Sequence, residues 1–313
     1  MKTFRDKQGL VTGAASGIGR ELTLALAREG MRLFLVDVDA AGLDSIVSEV
    51  RELGVEAIPC CADLTLRDEI HRLAETVLAS WGGVDLLINN AGIAYYGPTQ
   101  GMTEAQWDRL MNLNLMAPIH LTRLLLPAIL EREDPHIVNM CSISGLVAGG
   151  RFNAYHTSKF GLVGFTEALR AEYGRKGVGV TAICPGPSKT NLYKSCETSG
   201  TREAPQPPAW VCATPERIAT VTLKAIRRNR RMQLVTPMAH MLYQMKRFTP
   251  WLLDLMNTFS RTRLPWYLGG KTRPRPHSST VPTLPSTEAS MVSPDELTGN
   301  KATSSQQDLS KVA

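Results

Sequence analysis

From Gln8 to Gly30 the chain passes from a short apolar run through Thr12-Gly13-Ala14-Ala15-Ser16-Gly17-Ile18-Gly19 into the helical pattern RELTLALAREG. Strand, glycine turn and helix in that order leave few folds open. Glycines let the backbone come close to a pyrophosphate, and the helix that follows offers unpaired N–H groups and the positive end of its dipole. The spacing is G-x-x-x-G-x-G. Gly13, Ser16, Gly17, Ile18 and Gly19 are therefore candidate dinucleotide contacts, and the flanking strand and helix separate them from an ordinary turn.

The same rhythm continues along the chain. Apolar runs rich in Val, Ile and Leu predict strands at Met31–Val36, Val55–Cys60, Val84–Ile88, His136–Cys141, Val178–Cys184 and Met232–Val235. Helical spacing predicts helices near 66–80, 104–131, 153–176 and 215–228. Strands and helices in alternation give an α/β protein: a Rossmann-type, doubly wound parallel sheet covered on both faces, in a single domain over residues 1–236. Asp37 ends the second strand, eighteen residues after Gly19. A carboxylate there accepts hydrogen bonds from the adenosine ribose and repels a 2′-phosphate, and neither Ser16 nor Val38 offers a cation in return. The cofactor expected is NAD rather than NADP.

Residues 155–159 read YHTSK. Four apart on a helix, Tyr155 and Lys159 share a face. By itself such a pair is also a common solvated helix surface. Upstream lie Ser142, thirteen residues before Tyr155, Asn114 in NLNL, Asn89-Asn90-Ala91-Gly92, Asp63 in ADLT, and downstream PGPSKT, Pro185 to Thr190. With TGAASGIG and YHTSK these fall in the order and spacing of the short-chain dehydrogenase/reductase family, which the chain resembles from about Lys7 to Val235.

That resemblance implies a seven-stranded sheet and hydride transfer between a nicotinamide and a secondary alcohol or ketone. Tyr155 would exchange the proton that the substrate oxygen needs as hydride moves, and Lys159 would favour the phenolate of a group whose reference pKa is about 10. Ser142 would hold the substrate oxygen. Asn114 would bend its helix and hold a proton-relaying water. The implied cofactor contacts are Ser16 to Gly19 at the pyrophosphate, Asp37 at the ribose, Asp63 and Leu64 beside adenine, Asn89 under the ribose, Lys159 on the nicotinamide ribose, and Pro185 with Thr190 near the carboxamide. Gly9, in a strand where a larger residue is usual, and Pro187 and Lys189 depart from the pattern without touching a catalytic group.

The rest of the chain bears on partners. Residues 191–214 occupy the place of a substrate lid and show little periodicity. Met238, Met241, Leu242, Met245 and Phe248, then Leu252, Leu255, Met256 and Phe259, follow helical spacing among basic residues, so 237–268 reads as a basic amphipathic extension. It can cover the substrate cavity, pack on another subunit or lie on an anionic membrane. Residues 269–313, rich in Ser, Thr and Pro, are expected to be disordered. Between Lys224 and Arg263 nine Lys or Arg face the single acid Asp254, while residues 1–223 are net acidic. Basicity is thus local, and nucleic-acid binding is not expected. There is no C-x-x-C pair among the six cysteines, no metal-ligating pattern, no leader-like apolar start and no uncharged apolar run of eighteen residues. A cytoplasmic protein is expected, peripherally membrane-associated if the extension docks on lipid, with a small-molecule alcohol or ketone substrate and homo-oligomers. A second reading, a nucleotide-binding, membrane-docking adaptor on the same fold, has no use for Tyr155, Lys159 and Ser142 together.

Overall fold

A computed structural model describes residues 1–188, 196–198, 204 and 207–255. Thr190, most of the expected lid and residues 256–313 lie outside them. Nine strands are found among the described residues: β1 (Gln8–Thr12), β2 (Arg32–Asp37), β3 (Ala57–Cys61), β4 (Leu86–Asn89), β5 (Tyr95–Tyr96), β6 (His136–Met140), β7 (Gly179–Cys184), β8 (Glu197–Thr198) and β9 (Met232–Leu234). The α-helices are α1 (Gly17–Arg28), α2 (Ala40–Glu52), α3 (Arg67–Trp81), α4 (Glu104–Met111), α5 (Ala117–Leu130), α6 (Asn153–Tyr173), α7 (Pro215–Arg227) and α8 (Pro237–Phe248). Predicted and observed bounds differ by a few residues at the ends.

Seven strands form one sheet in the order β3-β2-β1-β4-β6-β7-β9, every pair parallel. Its strands are apolar on both sides because both sides are covered. Val11, Leu33, Leu35 and Ile88 share a core with Leu22 and Leu26 of α1, Ile46 of α2 and Ile218 of α7. Their neighbours in the chain, Leu10, Phe34, Val36 and Leu87, join Leu73 and Val77 of α3, Leu121 and Leu125 of α5 and Leu169 of α6. Alternate residues of one strand thus feed opposite layers, the period-two rule of a pleated strand. Burying each such Leu or Phe is worth about 1.5–3 kcal/mol.

Strand order reverses between β1 and β4, which opens a crevice at the carboxyl ends of the strands. The glycine in β1 has a packing reason: a Cβ on Gly9 would lie 2.7 Å from Sδ of Met31, so the methionine fills the space that a larger residue would take. Helix 104–130 is long and apolar enough to cross a bilayer by length and composition. In the fold its second half buries Leu121, Leu125 and Ile129 against the sheet. The helix is not continuous, for Asn112–Met116 forms a π turn between α4 and α5.

Candidate active site

A cavity of about 610 Å³ lies over the crevice. At its cofactor end, Gly13 and Gly17 have φ of +65° and +53°, a region L side chains avoid, and a Cβ on Gly19 would sit 1.8 Å from the carbonyl oxygen of Gly13. Ser16 caps α1 in extended conformation, but its hydroxyl makes no capping hydrogen bond. The first N–H groups of α1 are left for a ligand, and an anion there is favoured by the dipole. The turn is held from behind. The Asn90 amide donates to the carbonyls of Thr12 (2.9 Å) and Gly13 (3.1 Å), and the backbone N–H groups of Asn90 and Ala91 donate to Thr12 Oγ1 at 2.9 and 3.1 Å.

Asp37 closes β2 at the cavity wall. Its carboxylate accepts N–H bonds from Ala15 (2.9 Å), Val38 (2.8 Å) and Asp39 (3.1 Å), tying the glycine turn to the strand end. The capping of α2 falls to Asp39, which accepts from Gly42. Asp63 and Leu64 line the same end, and Asp63 Oδ1 accepts from both the amide (2.9 Å) and the hydroxyl (2.8 Å) of Thr65. The residues present fit a dinucleotide: glycines where a Cβ would clash, open helix amides and two carboxylates at successive strand ends.

One cofactor assignment is corrected. Asn89, expected under the ribose, is buried in the sheet and donates to Asn139 Oδ1 (2.8 Å) and Thr122 Oγ1 (3.2 Å). Asn89 and Asn139 are paired in the β4–β6 register, so both side chains fall on one face of the sheet. Its neighbour Asn90 lines the cavity instead.

At the catalytic end, α6 brings Tyr155 and Lys159 to the cavity wall, with Lys159 Nζ 5.7 Å from the centre of the Tyr155 ring. The lysine is buried and donates to the Met140 carbonyl at 2.8 Å. Desolvation holds its ammonium below the ordinary lysine range, opposed by the neighbouring Cys141 and Cys184 thiols. Ser142 follows β6 and opens a short 3₁₀ turn, where its Oγ accepts from the Ser144 N–H at 3.1 Å. Pro185 follows β7 on the wall, its carbonyl accepting from the Ile143 N–H at 2.8 Å.

Asn114 sits in the π turn, fully buried. Its Oδ1 accepts from Ile93 N–H (2.9 Å), and its amide donates to the Ile93 carbonyl (2.8 Å) and Ser158 Oγ (3.3 Å). The side chain is thus a brace between α6 and the segment after β4. A π turn shifts backbone pairing from i−4 to i−5, the local departure expected of a helix that serves a site.

The substrate end is built from later segments. Val147 and Phe152 line it from the loop before α6, and Met238, Leu242 and Leu253 come from the extension. The described part of 237–268 thus contributes to the cavity wall. β8 pairs with β5 and places Glu197 against Arg109 (2.6 Å) and Gln106 (3.2 Å) of α4. The sequence reading had not singled out Thr12, Asn90, His156 or Arg109. Of these Thr12 and Asn90 carry a signal, as the first residue of TGAASGIG and the second of NNAG, whereas nothing in the sequence marks a role for His156 or Arg109.

Comparison with known proteins gives a match to the short chain dehydrogenase family model over residues 7–199. The chain is 32% identical over 221 residues to 3-oxoacyl-[acyl-carrier-protein] reductase FabG of Thermotoga maritima, covering 70% of this chain and 90% of that one. It is 33% identical over 259 residues to the Probable oxidoreductase EphD of Mycobacterium tuberculosis, covering 79% of this chain but 44% of the length of that relative. A short chain dehydrogenase/reductase from Burkholderia phymatum, solved in complex with NAD, superposes with a TM-score of 0.72 at 28% identity, over 81% of this chain and 97% of the other. A metagenomic short-chain oxidoreductase in complex with NADP gives 0.62 at 30% identity, over 75% and 98%.

Proposed function

The chain belongs to the short-chain dehydrogenase/reductase family of NAD(P)-dependent oxidoreductases, and from that premise we propose that it interconverts an apolar secondary alcohol and its ketone, with NAD as the preferred cofactor. The observation that carries the reading is one cavity shared by the glycine turn, Ser142 and the Tyr155–Lys159 face of α6.

The cofactor, when bound, supplies or accepts hydride at the substrate carbon. Gly13 to Gly19 and the N-terminus of α1 would hold its pyrophosphate, with Asp37, Asp63 and Leu64 around the adenosine. Tyr155 gives its phenolic proton to the substrate oxygen during reduction and takes it back during oxidation. A proton transfer of this kind is worth about 10²–10⁴-fold in rate. Lys159 keeps a cation beside the ring, which favours the phenolate at the moment the proton leaves. Ser142 has one lone pair engaged by Ser144 N–H, so its own proton is available to the substrate oxygen. The oxygen is thereby oriented before it reacts.

Preference for NAD rests on Asp37, whose carboxylate faces the cavity, and on Val38 beside it, 67% exposed and uncharged. A 2′-phosphate would meet a negative charge there. The apolar substrate rests on Val147, Phe152, Met238, Leu242 and Leu253, while Arg109 at the edge is engaged with Glu197. The test has two arms: titration with NADH and NADPH, then a panel of aliphatic, steroid, acyl and sugar alcohols and ketones followed by NADH fluorescence. Tighter binding of NADPH overturns the Asp37 argument, and turnover confined to sugars overturns the apolar substrate.

A further inference from the structure

His156 lies between the two functional residues of YHTSK and has no part in the chemistry above. Its ring is nonetheless tied at both nitrogens. Nδ1 is 2.9 Å from the Ser144 carbonyl, and Nε2 is 3.0 Å from the Gly149 N–H. A carbonyl can only accept and an amide N–H can only donate, so one tautomer satisfies both: Nδ1–H donates to Ser144, and Nε2 accepts from Gly149. Ser144 in turn donates its N–H to Ser142 Oγ. His156 therefore reaches the serine hydroxyl through a single residue, gripping the carbonyl of the residue whose amide orients it.

The segment so held needs holding. Arg151 adopts φ +70°, a conformation that costs a non-glycine residue about 1–3 kcal/mol, and Phe152 after it packs its ring edge-on against His156 and Tyr155 with centroids 6.4 Å apart in each case. We propose that His156 is a positioning residue, which fixes the Ser142–Phe152 segment on α6 and so keeps the Ser142 hydroxyl aligned with Tyr155. The proposal rests on the dehydrogenase reading for its effect on rate, but not for its effect on the segment.

Protonation would undo the arrangement, because an imidazolium presents a second N–H to the Gly149 N–H. Burial of the ring disfavours the charged form, with the Ser144 carbonyl opposing it. Beside it on α6 stand Tyr155 and Lys159, with Glu167, Arg170, Glu172 and Tyr173 two or more turns further along; the loop carries Arg151 and α8 carries His240, Tyr243, Lys246 and Arg247, and residues 142–152 contain no carboxylate. Since the neutral ring is the one favoured in the fold, the grip is complete at the ordinary histidine value of about 6.5 and above, and is released only as pH falls through the lowered value that the ring has in the fold.

The experiment compares wild type, His156→Ala and His156→Gln, the last able to accept from Gly149 with a group that does not titrate. Hydrogen exchange of peptides covering 142–152 is read at pH 7.5 and 4.5, alongside kcat, KM and NADH affinity. His156→Ala should exchange faster in this segment at both values and lose about 10- to 100-fold in kcat with NADH affinity unchanged. Wild type should loosen only at the lower pH, and His156→Gln should retain more activity than the alanine variant and lose the acid limb. Equal protection in wild type and both variants, or a wild-type acid limb persisting in His156→Gln, overturns the proposal. Loosening of the segment in an enzyme that turns over no alcohol or ketone refutes the dehydrogenase reading and leaves the positioning role standing.

Discussion

The cofactor end and the substrate end of the cavity are made of different material. The first is mostly backbone: two glycines with positive φ, a third with no room for a Cβ, open helix amides, and strand-end residues fixed by sheet register. The second is mostly side chain, drawn from the 142–152 segment and the extension. Backbone demands are strict and narrow the residue to glycine or a short polar group. Side-chain walls only ask for volume and polarity, so different sequences can line the same space. One end therefore declares its ligand class, while the other is free to diverge.

The sharpest separation of the two ends is Tyr155→Phe. It removes one hydroxyl from the substrate end and should lower kcat by about 10²–10⁴-fold while NADH affinity stays within about twofold, measured by steady-state turnover and fluorescence titration. A matching loss of cofactor affinity would mean that the ends are not independent. Gly19→Ala attacks the other material. Its Cβ cannot occupy a point 1.8 Å from the Gly13 carbonyl, so the turn must open. Forced displacement of this kind costs about 1–3 kcal/mol or more, and NADH affinity should drop with it, readable by urea unfolding and titration. Unchanged affinity in a stable variant would show that the amides, rather than the shape of the turn, carry the binding. Asp37→Ser is gentler. It gives up three accepted N–H bonds and a charge, so NADH should weaken by about 1–3 kcal/mol while NADPH gains relative to it.

The same contrast explains what could be read from residues alone. The glycine turn, Asp37, Ser142 and the Tyr155–Lys159 face were legible because each depends on local spacing within one strand, turn or helix. Asn89 and Asn90 were not separable: Asn89 is the last residue of β4 and Asn90 the first beyond it, and only the β4–β6 register shows that the Asn89 side chain turns into the sheet. The extension divides in a related way. Met238, Met241, Leu242 and Phe248 read as one apolar stripe, yet Met238 and Leu242 line the cavity while Met241 is 54% and Phe248 71% exposed. His156 was invisible because its partners are backbone groups seven and twelve residues away, and backbone groups carry no sequence signature.

The smallest effect probes whether the extension merely walls the substrate end or also holds it. Lys246 of α8 donates to the Leu146 carbonyl at 2.6 Å, with its ammonium 4.4 Å over the Phe160 ring of α6. It thus grips, from outside, the same segment that His156 grips from within. Lys246→Met keeps the alkyl stem and removes both polar contacts. The side chain is partly in water, which limits the loss to about 1 kcal/mol, a fall of about 2–4 °C in Tm for a domain of this size. KM for an apolar ketone should rise about threefold, with NADH affinity and the acid limb of the pH profile unchanged. A shift in the acid limb instead would mean that the two grips are coupled through the segment they share, and the substrate end would then behave as one unit rather than as independent walls.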